Sequence, residues 1–541
     1  MIERTSKCLA IDHQTPLPVT TYSNLSRRHP AKPLRLTALV LATALGGCTV
    51  GPNFVHPDPP QAAAYTSAAT APHLQPDAGE PAQRVSVEQA IPAAWWQLFR
   101  SPPLDRLVRQ AIANSPTIAA AQARLLQSQQ VVAEARGAYA PQIDASASAE
   151  RQKGPPFALG IRPNHDLPTY SLYSAGATAS FTPDVFGLTG RRVEQQQALA
   201  QNQAYQLAAA QLAVTGNVVH QTLTIAAARQ QIAALDATVA ADEKTLALVR
   251  QKYTDGKLAR DDVLTVRAQL ANDRALLPPM RQEVAVAQDA LAILVGVAPA
   301  SFSPPDFDLA DFTLPAELPV GLPSALAERR PDILAAEARL HAASAAVGVA
   351  DAQMYPSFTL SASVGTAALA TSSLGGGSNL VWTLFGGITA PIFHGGALTA
   401  QKRAAIDQFH AELALYRQTV LTGLGQVADL LRSLGHDAER VQAERQALDA
   451  TDDSLHLAQR RYALGKTGRL PLLDAERRDQ QQRVSYVQVR AQRYLDSAQL
   501  FVALGGGWWR DAGAPDQRAN PTRQPSSSAV PDRRRTLEPN Q

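Results

Sequence analysis

Proline inside a helix removes a backbone hydrogen bond, clashes with the preceding turn and costs about 3 kcal/mol. Its placement therefore limits where long helices can lie. This 541-residue chain has 38 prolines, spread very unevenly. None occurs between Pro116 and Pro141, Pro183 and Pro278, Pro331 and Pro356, or Pro391 and Pro471. These gaps are rich in Ala, Gln, Leu and Arg, so they are helix candidates. Their order is short, long, short, long, which implies an internal duplication.

Residue identities support the duplication. A shift of 215 sets Pro116-Thr117-Ile118 on Pro331-Asp332-Ile333, Ala123-Arg124-Leu125 on Ala338-Arg339-Leu340, and Ser146-Ala147-Ser148 on Ser361-Ala362-Ser363. A shift of 209 then sets Tyr253 on Tyr462, Gly256-Lys257 on Gly465-Lys466, Arg260 on Arg469 and Gly296 on Gly505. Chance matching in Ala-rich sequence does not deliver Pro, Tyr, Gly and Arg in order at nearly constant offset.

Each repeat has the same plan. A short helix ends at Tyr139-Ala140-Pro141 in one and Tyr355-Pro356 in the other. Two strand-like runs follow, Ile143 to Ser148 and Tyr173 to Phe181, then Phe358 to Val364 and Val381 to Ile392. Apolar and small polar residues alternate in the clearer runs. The linkers are turn-rich: four prolines lie from Lys153 to Pro168, and Gly375-Gly376-Gly377 marks the second.

A long helix comes next. Ile225, Ala228, Ile232, Leu235, Val239, Leu246, Val249 and Tyr253 fall on heptad steps, with Asp242 breaking the seam. Tyr416, Val420, Val427, Leu434, Val441, Leu448, Leu455 and Tyr462 do the same in the second repeat. A Gly-Lys turn and a returning helix follow each. Pro278-Pro279 should kink or interrupt the first return. At about 1.5 Å per residue, roughly 65 residues from strand to turn span about 100 Å. A rod or tube is expected, since no compact domain is that long.

Four short amphipathic strands cannot close a membrane barrel alone, because the smallest spanning barrels have about eight. Open sheet edges are not tolerated in lipid. Three chains would supply twelve strands.

The N-terminus sets the compartment. Residues 27–35 are basic, and Leu36 to Gly47 is a short apolar run with small residues at its exit. That is the pattern of a secretory signal. Cys8 and Cys48 are the only cysteines, which excludes a disulfide scaffold and a thiolate zinc site. No apolar run reaches the roughly 18 residues of a helical span. A net charge of +3 indicates no nucleic-acid footprint. The exit segment resembles a bacterial lipobox. That resemblance implies cleavage before Cys48 and its acylation, and with Thr49 next it points to the outer membrane.

Further motifs resemble the TolC-like outer-membrane efflux factors, in their lipoprotein (NodT-type) branch. Cys48-Thr49-Val50-Gly51-Pro52-Asn53-Phe54 is similar to its mature start. Trp95-Trp96-Gln97-Leu98-Phe99 with Leu104-Asp105-Arg106-Leu107-Val108 is similar to its first block. Pro183-Asp184-Val185-Phe186-Gly187 and Pro391-Ile392-Phe393-His394-Gly395-Gly396 resemble its strand-to-helix transitions, and Leu504-Gly505-Gly506-Gly507-Trp508 its closing motif. The resemblance runs from about Cys48 to Arg510.

It implies an α+β membrane protein: a homotrimer with a twelve-stranded outer-membrane β-barrel, four strands per chain, on a periplasmic α-barrel of coiled-coil helices. It implies a passive export duct for small molecules, without a cofactor. An inner-membrane pump of the RND class would drive it through a periplasmic adaptor. The tips at Gly256, Lys257, Gly465 and Lys466 would meet the adaptor; a plain hairpin turn is the alternative. The family gate places Tyr462 and Asp474 at the entrance, with Arg469 nearby as a substitute and Asp262 as the first-repeat counterpart. Pro471 and Thr467 stand where the family has an aspartate and an arginine, so the charge ring is altered. Asp474 also fits a helix-start charge favoured by the dipole.

The expected divisions are a signal at 1–47, a lipidated and equatorial segment at 48–103, a first repeat at 104–297, a linker at 298–322, a second repeat at 323–510 and a tail at 511–541. Catalysis finds no support: the histidines lack paired-ligand spacing, and there is no Walker A loop or GxSxG elbow. Two other readings stay open. A type I protein-secretion channel keeps the architecture with another cargo. A periplasmic coiled-coil scaffold lipoprotein explains the helices and lipobox but not the strands.

Overall fold

A computed structural model describes residues 49–58, 60–66, 82–86, 91–153 and 169–508. The expected signal segment, Cys48, the proline-rich linker after Lys153, Trp509 and the expected tail lie outside the described residues. All the described residues belong to one unit, Thr49–Gln541.

In chain order the elements are β1 (Arg84–Ser86), α1 (Pro102–Asn114), α2 (Pro116–Gly137), β2 (Gln142–Gln152), β3 (Tyr170–Phe181), α3 (Leu188–Thr254) and α4 (Arg260–Leu294). Then come β4 (Glu317–Pro319), α5 (Pro323–Ala327), α6 (Pro331–Ala352), β5 (Ser357–Ala368), β6 (Leu380–Thr389), α7 (Ala397–Ala463) and α8 (Arg469–Ala503). The duplication is visible in these bounds. Both α2 and α6 have 22 residues, α3 and α7 have 67, and α4 and α8 have 35. The start of α6 lies 215 after that of α2, and α7 and α8 start 209 after α3 and α4. The six-residue difference falls between the two strands, where the second repeat has the shorter connection.

Helix bounds follow from local chemistry. Pro116 and Pro331 open their helices at N1, where a missing N–H costs nothing. Each long helix starts directly after a left-handed glycine, Gly187 or Gly396. At about 1.5 Å rise, 67 residues span about 100 Å.

The four strands form one antiparallel sheet in the order β2-β3-β5-β6. The helices beside it keep that order: α2 packs on α3, α3 on α6, and α6 on α7. Farther along, α4, α3, α8 and α7 form a second layer in that order. The two long helices therefore belong to both layers. At the waist, a two-stranded parallel sheet pairs β1 with β4. Beside it lies the largest core, where Trp95 stacks on Phe501 at 5.6 Å and Phe99, Tyr494 and Leu309 are fully enclosed.

Two expectations need correction. Pro278-Pro279 does not interrupt α4, which runs unbroken from Arg260 to Leu294. Both prolines are exposed, as are Arg274 and Ala275, the residues whose carbonyls lose a helical donor. The last strand stops at Thr389, short of Ile392, because Pro391 offers no N–H to a ladder. One helix, α6, is long and apolar enough by composition to cross a membrane, although no unbroken apolar run is. It is 61% buried over that window, and Ile333 and Leu340 pack on Tyr416 and Val420.

Candidate functional site

The sheet has two chemically different faces. The register sets Ile143, Ala179, Ala362 and Leu384 in one row and Ala145, Ala177, Val364 and Trp382 in another row of the same face. Ile143, Trp382 and Leu384 are 75%, 73% and 76% exposed. The opposite face carries Asp144, Thr178, Ser363 and Thr383 in one row and Ser146, Gly176, Gly365 and Val381 in the next. Such a sheet suits lipid on one side and water on the other. Its strands have 10 to 12 residues, close to the length that crosses a bilayer at a tilt. Among the described residues, β2 and β6 are each paired on one side only.

At the far end of the long helices are the two hairpin turns. Gly256 and Gly465 take positive φ of 72° and 65°. In each turn the glycine N–H donates to a tyrosine carbonyl, Gly256 to Tyr253 and Gly465 to Tyr462. The lysine N–H reaches back farther, Lys257 to the Lys252 carbonyl at 2.8 Å and Lys466 to that of Arg461 at 2.9 Å. This is a Schellman cap, which satisfies the last helix carbonyls and needs a left-handed residue. Gly256, Lys257, Gly465 and Lys466 thus occupy equivalent exposed positions.

The four residues expected at the gate divide between two jobs. Arg469 lies 5.4 Å above the ring of Tyr462, a cation–π contact across the second turn. Asp474 is held by Arg478 at 2.7 Å and Arg477 at 3.6 Å. Asp262 accepts the Ala259 N–H at 3.0 Å, which caps the start of α4. The structure brings Tyr462 and Arg469 together but gives both carboxylates partners within their own hairpins.

Near the strands, the N-terminal segment is tied to the body. Val50 N–H donates to Phe186 O at 3.2 Å. The buried Arg191 guanidinium donates to Val50 O, Gly51 O and Asn53 Oδ1, and pairs with Glu194 at 2.7 Å. Phe54 stacks on His341 at 4.4 Å, and His341 Nε2 bonds Glu194 at 3.0 Å. Burial pushes the Glu194 carboxyl up, but Arg191 and His341 outweigh it and hold it below the usual range.

Sequence reasoning missed two buried carboxyl pairs. Asp242 on α3 and Asp273 on α4 are 3% and 5% exposed, and Asp242 Oδ2 has no hydrogen-bond partner among the described residues. Asp437 on α7 and Asp496 on α8 repeat the arrangement, again with one orphaned oxygen, Asp437 Oδ2. The break in the heptad at Asp242 was the available signal.

The family profile described as "Outer membrane efflux protein" matches residues 107–297 and 322–506. The chain belongs to the outer membrane efflux protein family. Members similar to it include the pyoverdine export outer membrane protein OpmQ of Pseudomonas aeruginosa, 31% identical over 77% of this chain and 88% of OpmQ. The toluene efflux pump outer membrane protein TtgC of Pseudomonas putida is 29% identical over 90% of this chain and 98% of TtgC. The solved outer-membrane channel OprN superposes with a TM-score of 0.73 at 28% identity, covering 85% of this chain and 100% of OprN. VceC from Vibrio cholerae gives 0.68 at 26%, covering 77% of this chain and 100% of that one. The outer membrane efflux proteins are channels, and this one has the TolC-like fold of the solved members.

Proposed function

We propose that three copies of the chain close one twelve-stranded barrel and one helical barrel, and that the assembly is the passive outer duct of a tripartite small-molecule efflux system. The observation that carries this reading is the sheet: one apolar face, one polar face and two open edges, β2 and β6. Lipid forbids such edges, so β6 of one chain must pair with β2 of the next. The antiparallel order of the four strands permits this around a closed ring. Nothing in such a duct couples to an energy source, so an inner-membrane pump, here of the RND class, supplies it through a periplasmic adaptor.

The two tips are the entrance. Gly256-Lys257 and Gly465-Lys466 meet the adaptor, and Tyr462, Arg469, Asp474 and Asp262 line the gate beside them. Cys48 carries the lipid anchor. Its neighbours support that role: Val50 bonds Phe186, and Thr49 packs on Gly187, at the foot of β3. Acyl chains entering there would add about 0.8 kcal/mol of membrane affinity per buried CH₂. The names of the relatives, toluene efflux and pyoverdine export, favour small molecules over secreted protein as cargo.

Purified protein in planar bilayers tests the reading. Stepwise conductance that needs neither nucleotide nor a proton gradient is expected. Folded, inserted protein without conductance would overturn it.

A further inference from the structure

We propose that the periplasmic mouth of this duct selects for anionic solutes. The inference rests on the tips being the entrance, and it concerns the charge they present.

Equivalent windows around the two turns, 248–267 and 457–476, carry five basic against three acidic residues and four against two. The surplus from these two windows alone exceeds the net charge of the whole chain, +3. Three of these five acids are also engaged locally. Asp255 pairs with Lys257 at 3.5 Å, Asp262 is spent on the Ala259 N–H, and Asp474 is clasped by Arg478 and Arg477. Arg460, Arg461 and Lys466 are exposed and make no ion pair among the described residues.

The two tips of one chain combine their charge. A Cβ built on Gly468, in the second turn, would lie 4.0 Å from the Lys252 Nζ of the first. Lys252 therefore leans over the second turn and adds its charge to that of Arg460, Arg461 and Lys466. The helix dipoles do not offset this surplus, because each tip joins one helix C-terminus to one N-terminus. Repeated by three-fold symmetry, the turns form a basic ring. A ring of Arg and Lys at a constriction concentrates anions and repels cations, within a screening length of about 8 Å at physiological salt.

Reversal potential under a KCl gradient tests the proposal. The wild-type channel should reverse toward the chloride potential, with chloride favoured over potassium by about twofold or more at low salt. Arg460→Glu, Arg461→Glu and Lys466→Glu combined should move the reversal toward potassium. These exposed side chains carry none of the cap hydrogen bonds, so the variant should fold. Reversal on the potassium side in the wild type, with normal conductance, overturns the anion preference and leaves the channel reading standing. Absence of any conductance from inserted wild-type protein overturns both.

Discussion

Asp242 on α3 faces Asp273 on α4 inside the seam of the first hairpin, and both carboxyls are buried. Gln269 donates to Asp273 at 2.9 Å from one turn away. The second hairpin contains the same device. Asp437 faces Asp496, which accepts from Gln492 at 2.7 Å, again four residues earlier. Counted from the helix ends at Thr254 and Ala463, the second pair lies two heptads farther from its tip. Both pairs therefore occupy the same seam position. They are not repeat equivalents, since Ala228 and Ala287 stand where the first repeat would match Asp437 and Asp496.

These pairs should make stability depend on pH. Burial first, and then Asp273, push the Asp242 carboxyl up to about 7, with Arg477 opposing. Burial first, and then Asp496, push Asp437 up to about 7, with Arg440 and Arg493 opposing. The unfolded value is about 3.9. The folded state holds these protons more tightly, so their contribution is complete below about pH 4 and is lost as pH rises through about 7. Thermal unfolding of solubilised protein should show falling stability between about pH 4 and pH 7, levelling off above. Asp242→Asn should flatten that slope. An unchanged slope in both Asp242→Asn and Asp437→Asn would count against proton sharing.

The tip glycines should resist substitution for backbone reasons alone. No atom lies within 4 Å of a Cβ built on Gly256 or Gly465, so a side chain there meets no clash. The left-handed backbone should still cost Gly465→Ala about 1–2 kcal/mol. Gly465→Asn should cost less, since Asn tolerates that conformation. Hydrogen exchange at the last turn of α7 checks the order Ala, Asn, Gly.

The two faces of the sheet should respond oppositely to charge. Leu384→Arg places a cation on the apolar face and should cost about 2–4 kcal/mol if it lies near mid-bilayer. Thr383→Arg, one residue away on the polar face, should insert nearly normally. The yield of folded protein in vesicles measures the difference.

The N-terminal tie should fail from either side. Gly51 has φ of 95°, and an added Cβ would stand 2.5 Å from the Gly348 Cα. Gly51→Ala should free the segment, as should Arg191→Met, which removes three hydrogen bonds to it. Limited proteolysis should then cut within residues 49–58 while the long helices stay intact.

Much of the fold was legible because proline and heptad spacing act locally. The gaps located α2, α3, α6 and α7, and the change of offset from 215 to 209 located the shorter strand connection. Partnership across the chain was not legible. No motif marks Arg191, which only the fold sets against Val50, Gly51 and Asn53. Asp242 registered only as a flaw in a seam, because its partner is 31 residues away on the returning helix. The residues proposed for the gate came from resemblance, yet their pairing, Tyr462 with Arg469 and Asp474 with two arginines, depends on packing that no motif records.

Pairing between chains at the open edges is the central claim, and cross-linking tests it most directly. Thr383→Cys on β6 can be combined in turn with Asp144→Cys, Ser146→Cys or Ser148→Cys on β2. With a short bifunctional thiol reagent in outer-membrane preparations, at least one combination should give linked chains in a ladder that stops at three. Folded protein that yields no linked chains in any combination, or a ladder that runs past three, would contradict the account.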